Sequence, residues 1–182
     1  GQASELGELL EDLITYARAD SEDQEFRPAI VPLGDIVTAA AGEGASLAEP
    51  REVTIVTSRD DNGAVLNGDP RRLKRVLLIG IDNAVKHSAP GSTITIRTRR
   101  DAGNAVIEVL DEGPGLADDE KPKVFERFFR GRGERELHDG GSGIGLAIAR
   151  EIVELHRGRI NLDNRPEGGA ILTVTLPLKE PA

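Results

Sequence analysis

A glycine-rich run precedes a predicted helix and carries the first candidate chemistry of the 182-residue chain. The first N–H groups of a helix have no helical partner, and glycines let an anion approach them closely. The run therefore favours phosphate binding, although its spacing matches neither the P-loop nor the dinucleotide-binding fingerprint. A flexible joint without a ligand is the alternative. The run contains Gly141, Ser142, Gly143, Ile144, Gly145 and Leu146.

A carboxylate, Asp111, directly follows an apolar predicted strand and precedes Gly113 and Gly115. A carboxylate at the end of a buried strand can only accept hydrogen bonds, so it can receive the amine of adenine but cannot pair with the carbonyl of guanine. Buried polar pairing of this kind discriminates strongly between ligands. The alternative is that Asp111 caps a turn in which the two glycines reverse the chain.

Asn83 lies inside a predicted apolar helix, where asparagine is unfavourable unless its side chain has a specific role. Its amide oxygen could complete an octahedral Mg²⁺ site whose other ligands are phosphate oxygens and water. Lys86 and His87 follow within about one turn and could meet the same anion. A solvated asparagine near a helix end is the alternative.

Residues 121–135 form a locally basic segment, with six Lys or Arg against two Glu in a chain of net charge −9. Arg127 and Arg130 are three residues apart on a predicted short helix that phenylalanines anchor. Either arginine could reach a polyphosphate. For Lys121, Arg132 and Arg135 we expect a solvated basic face on a mobile loop.

The helical spacing of leucines predicts a first helix over residues 5–19, followed by an acidic break and Pro28. We therefore divide the chain into a helical end (1–22), a linker (23–30) and a main domain (31–182).

The main domain is predicted to open with a helix over 35–47 and a strand over 53–57 that can pair with a short strand over 64–66. A longer helix starts at Pro70, is capped by Asp69 and ends near His87.

Later segments predict a hairpin (93–98 and 105–110), a helix (144–155) and a final strand pair (159–162 and 170–176). Hairpins that alternate with helices favour an α/β (α+β) two-layer sandwich. We expect a mixed, mostly antiparallel sheet covered on one face by helices. A doubly wound parallel sheet is disfavoured.

The composition excludes several functions. The chain has no Cys and only three His, so disulfides, a cysteine nucleophile and a catalytic zinc site are not expected. Its negative charge argues against nucleic-acid binding. Its apolar runs are too short to span a bilayer, so we expect a soluble fragment without direct membrane contact.

Four segments together resemble the nucleotide-binding boxes of bacterial sensor histidine kinases. The resemblance covers residues 30–178, and residues 10–20 are similar to the end of that family's dimerisation and phosphoacceptor hairpin. It implies the ATP-binding GHKL fold shared with gyrase B, Hsp90 and MutL, in which a flexible lid closes over Mg-ATP. The segments are Asn83-Ala-Val-Lys-His, Asp111-Glu-Gly-Pro-Gly, Phe125-Glu-Arg-Phe-Phe-Arg and Gly141-Ser-Gly-Ile-Gly-Leu.

The resemblance implies a role for residues on the polyphosphate side. Asn83 would ligate Mg²⁺, and Lys86 and His87 would contact phosphates. Arg127 or Arg130 would neutralise phosphate charge. The glycine-rich run would bend the lid towards the triphosphate, and Phe125 to Phe129 would anchor it. Of these residues, Asn83, Lys86 and Arg130 are the implied catalytic residues.

On the base side, the resemblance implies that Asp111 binds the adenine amine and that Gly113 and Gly115 let the backbone approach the base. Thr173 matches a strand position that supports adenine through water.

Two features depart from the family pattern. Ile79 lies four residues before Asn83, where sensor kinases have Asn and ATPase relatives have a Glu that activates water. Hydrolysis by a built-in base is therefore not expected. In addition, no segment resembles the phosphoacceptor histidine motif, so we expect no autophosphorylation by this chain alone.

The resemblance implies a protein-histidine kinase domain that binds Mg-ATP and donates the γ-phosphate to a histidine on its own dimerisation domain, in two-component signalling with a response regulator. It also implies a homodimeric parent attached to the bacterial inner membrane, with this domain in the cytoplasm. The alternatives are a stand-alone ATPase of the same fold and a non-enzymatic nucleotide-binding or interaction domain.

Overall fold

The computed structural model describes residues 25–131 and 142–179. The helix predicted over 5–19 lies outside the described residues. The helices are α1 (Leu33–Ala48), α2 (Pro70–His87) and α3 (Gly145–Leu155), and a short 3₁₀-helix spans Glu49–Arg51. The strands are β1 (Ala29–Pro32), β2 (Thr54–Asp60), β3 (Val65–Gly68), β4 (Thr93–Asp101), β5 (Asn104–Leu110), β6 (Arg159–Asn164) and β7 (Ala170–Pro177).

Five strands form one sheet in the order β2-β4-β5-β7-β6. β2 and β4 are parallel, and the other neighbouring strands are antiparallel. Alternate residues of β7, such as Leu172 and Val174, are buried in the same core as Leu77 and Ile81 of α2 and Val153 of α3. The predicted mixed sheet, covered on one face by helices, is therefore confirmed. Within the described ranges, no helix combines the length and apolar character needed to cross a bilayer.

The predicted pairing of the short strand at 64–66 with the strand before it is wrong. β3 pairs antiparallel with β1 in a separate two-stranded sheet, and β1 takes up residues 29–30 of the predicted linker. The chain between β2 and β3 turns sharply because Asn62 and Gly63 have φ values of 46° and 68°. This corner directs β3 away from β2, whose partner is β4.

Asp61 is a buried carboxylate that holds this corner. It accepts hydrogen bonds from the Thr98 hydroxyl at 2.7 Å and from the Gly63 N–H at 3.1 Å. The hydrogen bond from Arg59 lowers the pKa of Asp61 to about 2, against the opposing effect of burial. The charged carboxylate therefore ties the corner to β4.

α2 begins and ends where the sequence predicts. The Asp69 side chain accepts hydrogen bonds from the N–H groups of Arg71 and Arg72, as an N-cap residue does, and Pro70 occupies the first helical position. The other Asp69 carboxylate oxygen accepts a hydrogen bond from the Arg27 N–H at 3.0 Å. The chain just before β1 is thus attached to the start of this helix.

His156, at the end of α3, completes the attachment. Its Nε2 accepts a hydrogen bond from the Asp69 N–H at 2.9 Å, and its Nδ1 lies 2.7 Å from the Ile152 carbonyl oxygen. Because Nε2 is the acceptor, the ring is neutral and Nδ1 carries the proton. The Phe26 ring lies edge-on to it, with centroids 5.1 Å apart. Burial lowers the pKa of His156.

We expect this histidine to make folding stability depend on pH. Its folded-state pKa lies below the unfolded value of 6.5, so its contribution is complete above that pH and is lost as the pH falls towards the folded-state pKa. His156→Leu leaves the Asp69 N–H without its acceptor, which costs about 1–3 kcal/mol at neutral pH. The variant should also show a smaller fall in melting temperature between about pH 8 and pH 5. Equal pH slopes in both proteins would contradict this assignment.

Candidate functional site

One cavity of about 590 Å³ lies between α2, the start of α3 and the loop that follows β5. This volume suits a small-molecule ligand. The segments 83–87, 111–115 and 141–146, which were selected from the sequence, each contribute several lining residues. The segment 125–130 contributes Phe129. The polar or charged lining residues are Arg75, Asp82, Asn83, Lys86, His87, Asp111, Glu120 and Ser142.

Asp111 lines the cavity at the end of β5 and is 5% exposed. Its Oδ1 accepts hydrogen bonds from the Gly113 N–H at 2.8 Å and the Ala170 N–H at 2.9 Å. Its Oδ2 makes no hydrogen bond within the part of the chain that the structure describes. Asp111 therefore caps a turn, as the alternative interpretation predicted, and keeps an acceptor for a ligand as well.

The loop after Asp111 packs closely against its surroundings. A Cβ atom added at Gly113 would lie 2.7 Å from the His87 carbonyl oxygen, so the loop meets the C-terminal end of α2 there. Gly115 has a φ of +74°, and an added Cβ would lie 2.6 Å from the Asn164 Oδ1. Both positions therefore require glycine, and Gly115 lines the cavity.

One face of α2 forms a wall of the cavity. Arg75, Ile79, Asn83 and Lys86 lie three or four residues apart, and all four line the cavity. Lys86 pairs with Asp82 at 2.6 Å. Among the described residues, the amide of Asn83 and the guanidinium of Arg75 have no hydrogen-bond or ion-pair partner.

The donor set of this wall fits Mg²⁺ bound together with a phosphate ligand. Asn83 is half-buried and offers an oxygen ligand of the hard type that Mg²⁺ prefers. The described residues contain no cluster of three or more His, Cys, Asp or Glu that could hold a metal by itself. A Mg²⁺ ion that is bound together with a nucleotide usually takes most of its ligands from phosphate and water.

The start of α3 faces the same wall. Ser142, Gly143, Ile144, Gly145 and Leu146 all line the cavity, whereas Gly141 lies outside the described residues. A Cβ added at Gly145 would be 3.4 Å from the Ile79 side chain, so this helix start lies beside the middle of α2.

The predicted short helix near Phe125 is not formed. Residues 118–128 form successive turns, with hydrogen bonds from Glu126 N–H to Lys123 O and from Phe129 N–H to Glu126 O. Phe128 has a φ of 65° and donates its N–H to the Gly143 carbonyl at 2.9 Å, which stops helix propagation.

Phe125 and Phe129 pack against the core, whereas Phe128 is 62% exposed. Arg127 does not line the cavity, since its guanidinium pairs with Glu151 of α3 at 2.6 Å. Arg130 is half-buried between two cavity-lining residues but is not itself part of the lining.

Thr173 lies away from the cavity. Along β7 it alternates with buried Leu172 and Val174, so it belongs to the sheet face opposite the helices. The β7 residue at the cavity is Ala170, whose N–H binds Asp111. Successive side chains of a strand point to opposite faces, so Ala170 and Thr173, three residues apart, lie on different faces of the sheet.

Three charged lining residues were not predicted from the sequence, namely Arg75, Asp82 and Glu120. Arg75 and Asp82 could have been found, because they are eight and one residues before Asn83 on a helix that was predicted correctly. Glu120 comes from the irregular segment, and its carboxylate accepts a hydrogen bond from the Ala117 N–H at 3.2 Å. No periodic signal marks it.

Comparison with known proteins adds independent findings. A family model described as "Histidine kinase-, DNA gyrase B-, and HSP90-like ATPase" matches residues 68–180, more than half of the chain. These residues include α2, the loop after β5 and α3.

Two relatives and one solved structure show how much of the chain is shared. Sensor protein SphS of Synechococcus elongatus is 36% identical, over 100% of this chain and 46% of that protein. Sensor-like histidine kinase SenX3 of Mycobacterium tuberculosis is 34% identical, over 97% of this chain and 43% of that protein. The mycobacterial sensor histidine kinase MprB structure has a TM-score of 0.70 and 28% identity, covering 85% of this chain and 100% of that one. The chain spans less than half the length of both relatives.

Proposed function

Because the chain belongs to the histidine kinase-, DNA gyrase B- and HSP90-like ATPase family, we propose that its cavity binds ATP with Mg²⁺ and presents the γ-phosphate to a histidine on a separate dimerisation hairpin. The observation that carries this proposal is that Asp111 and Asn83 open onto one cavity. These residues supply the acceptor for adenine and the oxygen ligand for the cation. The relative that is named a sensor-like histidine kinase supports the phosphotransfer part of the proposal.

The base is proposed to bind at the β5 end of the cavity. The Oδ2 of Asp111 would accept a hydrogen bond from the adenine amine, while its Oδ1 stays bound to two N–H groups. Guanine presents a carbonyl at the corresponding position, which would face a carboxylate without a proton to share. Gly113 and Gly115 keep side chains away from this end of the site.

The triphosphate would then extend along α2 towards its N-terminal end. The loop after Asp111 touches α2 at His87, and the helix rises about 1.5 Å per residue. Asn83 and Lys86 come first along this path, and Arg75 lies about 12 Å beyond Asn83. The start of α3, beside Ile79, would offer backbone N–H groups to the phosphates.

Mg²⁺ bound by Asn83 and the phosphates would neutralise charge on the reacting group. The γ-phosphoryl group would pass to an imidazole nitrogen of the acceptor, and ADP would leave with the electrons of the broken P–O bond. The domain contributes positioning and charge neutralisation, the dominant effects in phosphoryl transfer. Ile79 offers no base for water at the position where ATPases of this fold have Glu.

The wider role follows from this chemistry and from the sensor relatives. The phosphorylated histidine would supply an aspartate on a response regulator, and the parent would be a homodimer that joins two such domains through its hairpins. Residues 1–22 would be the end of that hairpin and 31–182 the catalytic domain. The names of the relatives support a sensor role. The placement of this domain on the cytoplasmic side of a membrane-attached parent is part of the same proposal.

We expect Mg-ATP to raise the melting temperature of the chain, since a ligand that binds only the folded state stabilises it. Asp111→Asn should weaken ATP binding by roughly tenfold or more, because an amide donor would then face the adenine amine. Differential scanning calorimetry measures the melting temperature, and calorimetric titration measures the affinity. Glu112→Gln is the matched control, since Glu112 is the next residue, lies outside the cavity lining and would keep its acceptor for the Thr93 N–H. Equal affinities for Asp111→Asn and wild type would contradict the proposed base site.

Arg75→Gln should weaken ATP binding by roughly tenfold while changing ADP binding much less, because a charge-assisted bond to the terminal phosphate is lost. Lys74→Gln is the control, since Lys74 pairs with Glu43 at 2.7 Å outside the cavity. Titrations of ATP and ADP against the wild type and the two variants give the ratio of ATP affinity to ADP affinity for each protein. A parallel loss of ATP and ADP affinity would show that Arg75 does not meet the γ-phosphate.

Labelled ATP mixed with the chain and its parent's acceptor hairpin should place acid-labile label on the hairpin. Asn83→Ala should abolish the transfer, because the cation would lose its protein ligand. Steady phosphate release without an acceptor would support a stand-alone ATPase instead. Tight ATP binding with neither transfer nor release would support a non-enzymatic nucleotide-binding domain.

A further inference from the structure

Three consecutive residues at the end of β6 contact the loop after β5 from the side away from the cavity. They are Asp163, Asn164 and Arg165. We refer to them as the β6 clamp. Asp163 forms an ion pair with Lys121 at 2.8 Å, and the Arg165 guanidinium donates a hydrogen bond to the Asp111 carbonyl. Neither the sequence motifs nor the cavity lining includes the clamp.

Asn164 makes the most specific contacts of the clamp. Its Oδ1 accepts a hydrogen bond from the Leu116 N–H at 2.7 Å, and its Nδ2 donates to the Leu116 carbonyl at 2.9 Å. The side-chain amide therefore pairs with one residue of the loop as a neighbouring strand would. Leu116 and Gly115 both line the cavity, so this pair fixes backbone that a ligand would touch.

The rest of this loop has few other anchors. Pro114 has no N–H, and the hydrogen bonds of Gly113 and Glu112 secure only the first part of the loop, to Asp111 and to Thr93. Among the described residues, the backbone of Gly115 makes no hydrogen bond outside the loop. In the second half of the loop, the Asn164 side chain holds Leu116, and Glu120 holds Ala117 through two hydrogen bonds.

We propose that Asn164 is a positioning residue that sets the affinity and selectivity of the base site by holding Gly115 and Leu116 in place. This inference rests on the proposed ATP site, because it assumes that the base binds beside Asp111. The clamp fixes the loop relative to Ala170, since Asn164 pairs with Ala170 across β6 and β7, and Ala170 also holds Asp111. The chain between Asn164 and Ala170 therefore positions both Leu116 and Asp111, which line the proposed base site.

The test compares Asn164→Asp and Asn164→Ala with Asn161→Ala. The aspartate keeps the shape and the acceptor for the Leu116 N–H but places a negative oxygen against the Leu116 carbonyl. Asn161 is an exposed asparagine on the same strand that is not part of the cavity lining, so it is the matched control. Affinities for ATP, ADP and GTP and the melting temperature without nucleotide are measured for each protein.

We expect both Asn164 variants to weaken ATP and ADP by the same factor, about tenfold, since the lost contacts act on the base and not on the phosphates. The preference for ATP over GTP should fall as well, because Gly115 and Leu116 would no longer be held at a fixed distance from the Asp111 carboxylate. Loss of stability alone would lower affinity for all nucleotides without changing that preference. Asn161→Ala should bind like the wild type.

The outcomes separate this inference from the proposed function. Wild-type ATP binding that depends on Asp111, together with unchanged affinity and base preference in folded Asn164 variants, would overturn the role of Asn164 alone. A wild-type chain that binds no nucleotide would overturn the proposed function itself. Should Asn164→Asp not fold, Asn164→Ser and Lys121→Gln weaken the same loop more gently and give the same comparison.

Discussion

The architecture of the site depends on one carboxylate, Asp111, that is held by two backbone N–H groups from different parts of the chain. Gly113 belongs to the loop after β5, and Ala170 begins β7. A buried carboxylate without such partners would be costly, so both bonds are needed for it to remain at the cavity. These hydrogen bonds occupy only Oδ1, so Oδ2 remains an acceptor that the proposed ligand could use. In the proposed site, fold stability and ligand recognition would therefore be carried by different atoms of one side chain.

α2 forms the second half of the site because one of its faces is buried in the core and another lines the cavity. Leu73, Leu77 and Ile81 are buried in the core, and Asn83 and Lys86 face the cavity. Its start is fixed by Asp69, which also binds the chain before β1 and the end of α3. A helix fixed in this way presents its polar face to the cavity with little freedom, as the proposed transfer of a phosphoryl group would require.

Local signals allowed most of these elements to be predicted from the sequence. Asp69 followed by Pro70 favours a helix start, and Asp111 after an apolar run favours the end of a buried strand. The pairing of β3 with β1 could not be predicted, because it depends on the corner at Asn62 and Gly63 and not on the composition of the strands. The expected role of Thr173 came from the family resemblance alone, and alternation along β7 places Thr173 on the face opposite the buried Leu172 and Val174.

A crystal structure of the chain with Mg²⁺ and a non-hydrolysable ATP analogue tests the proposed site most directly. We expect the adenine amine within hydrogen-bond distance of the Asp111 Oδ2, the cation on the Asn83 side chain and the terminal phosphate towards Arg75. A nucleotide bound on the open face of the sheet, or one in the cavity whose base lies away from Asp111, would contradict it.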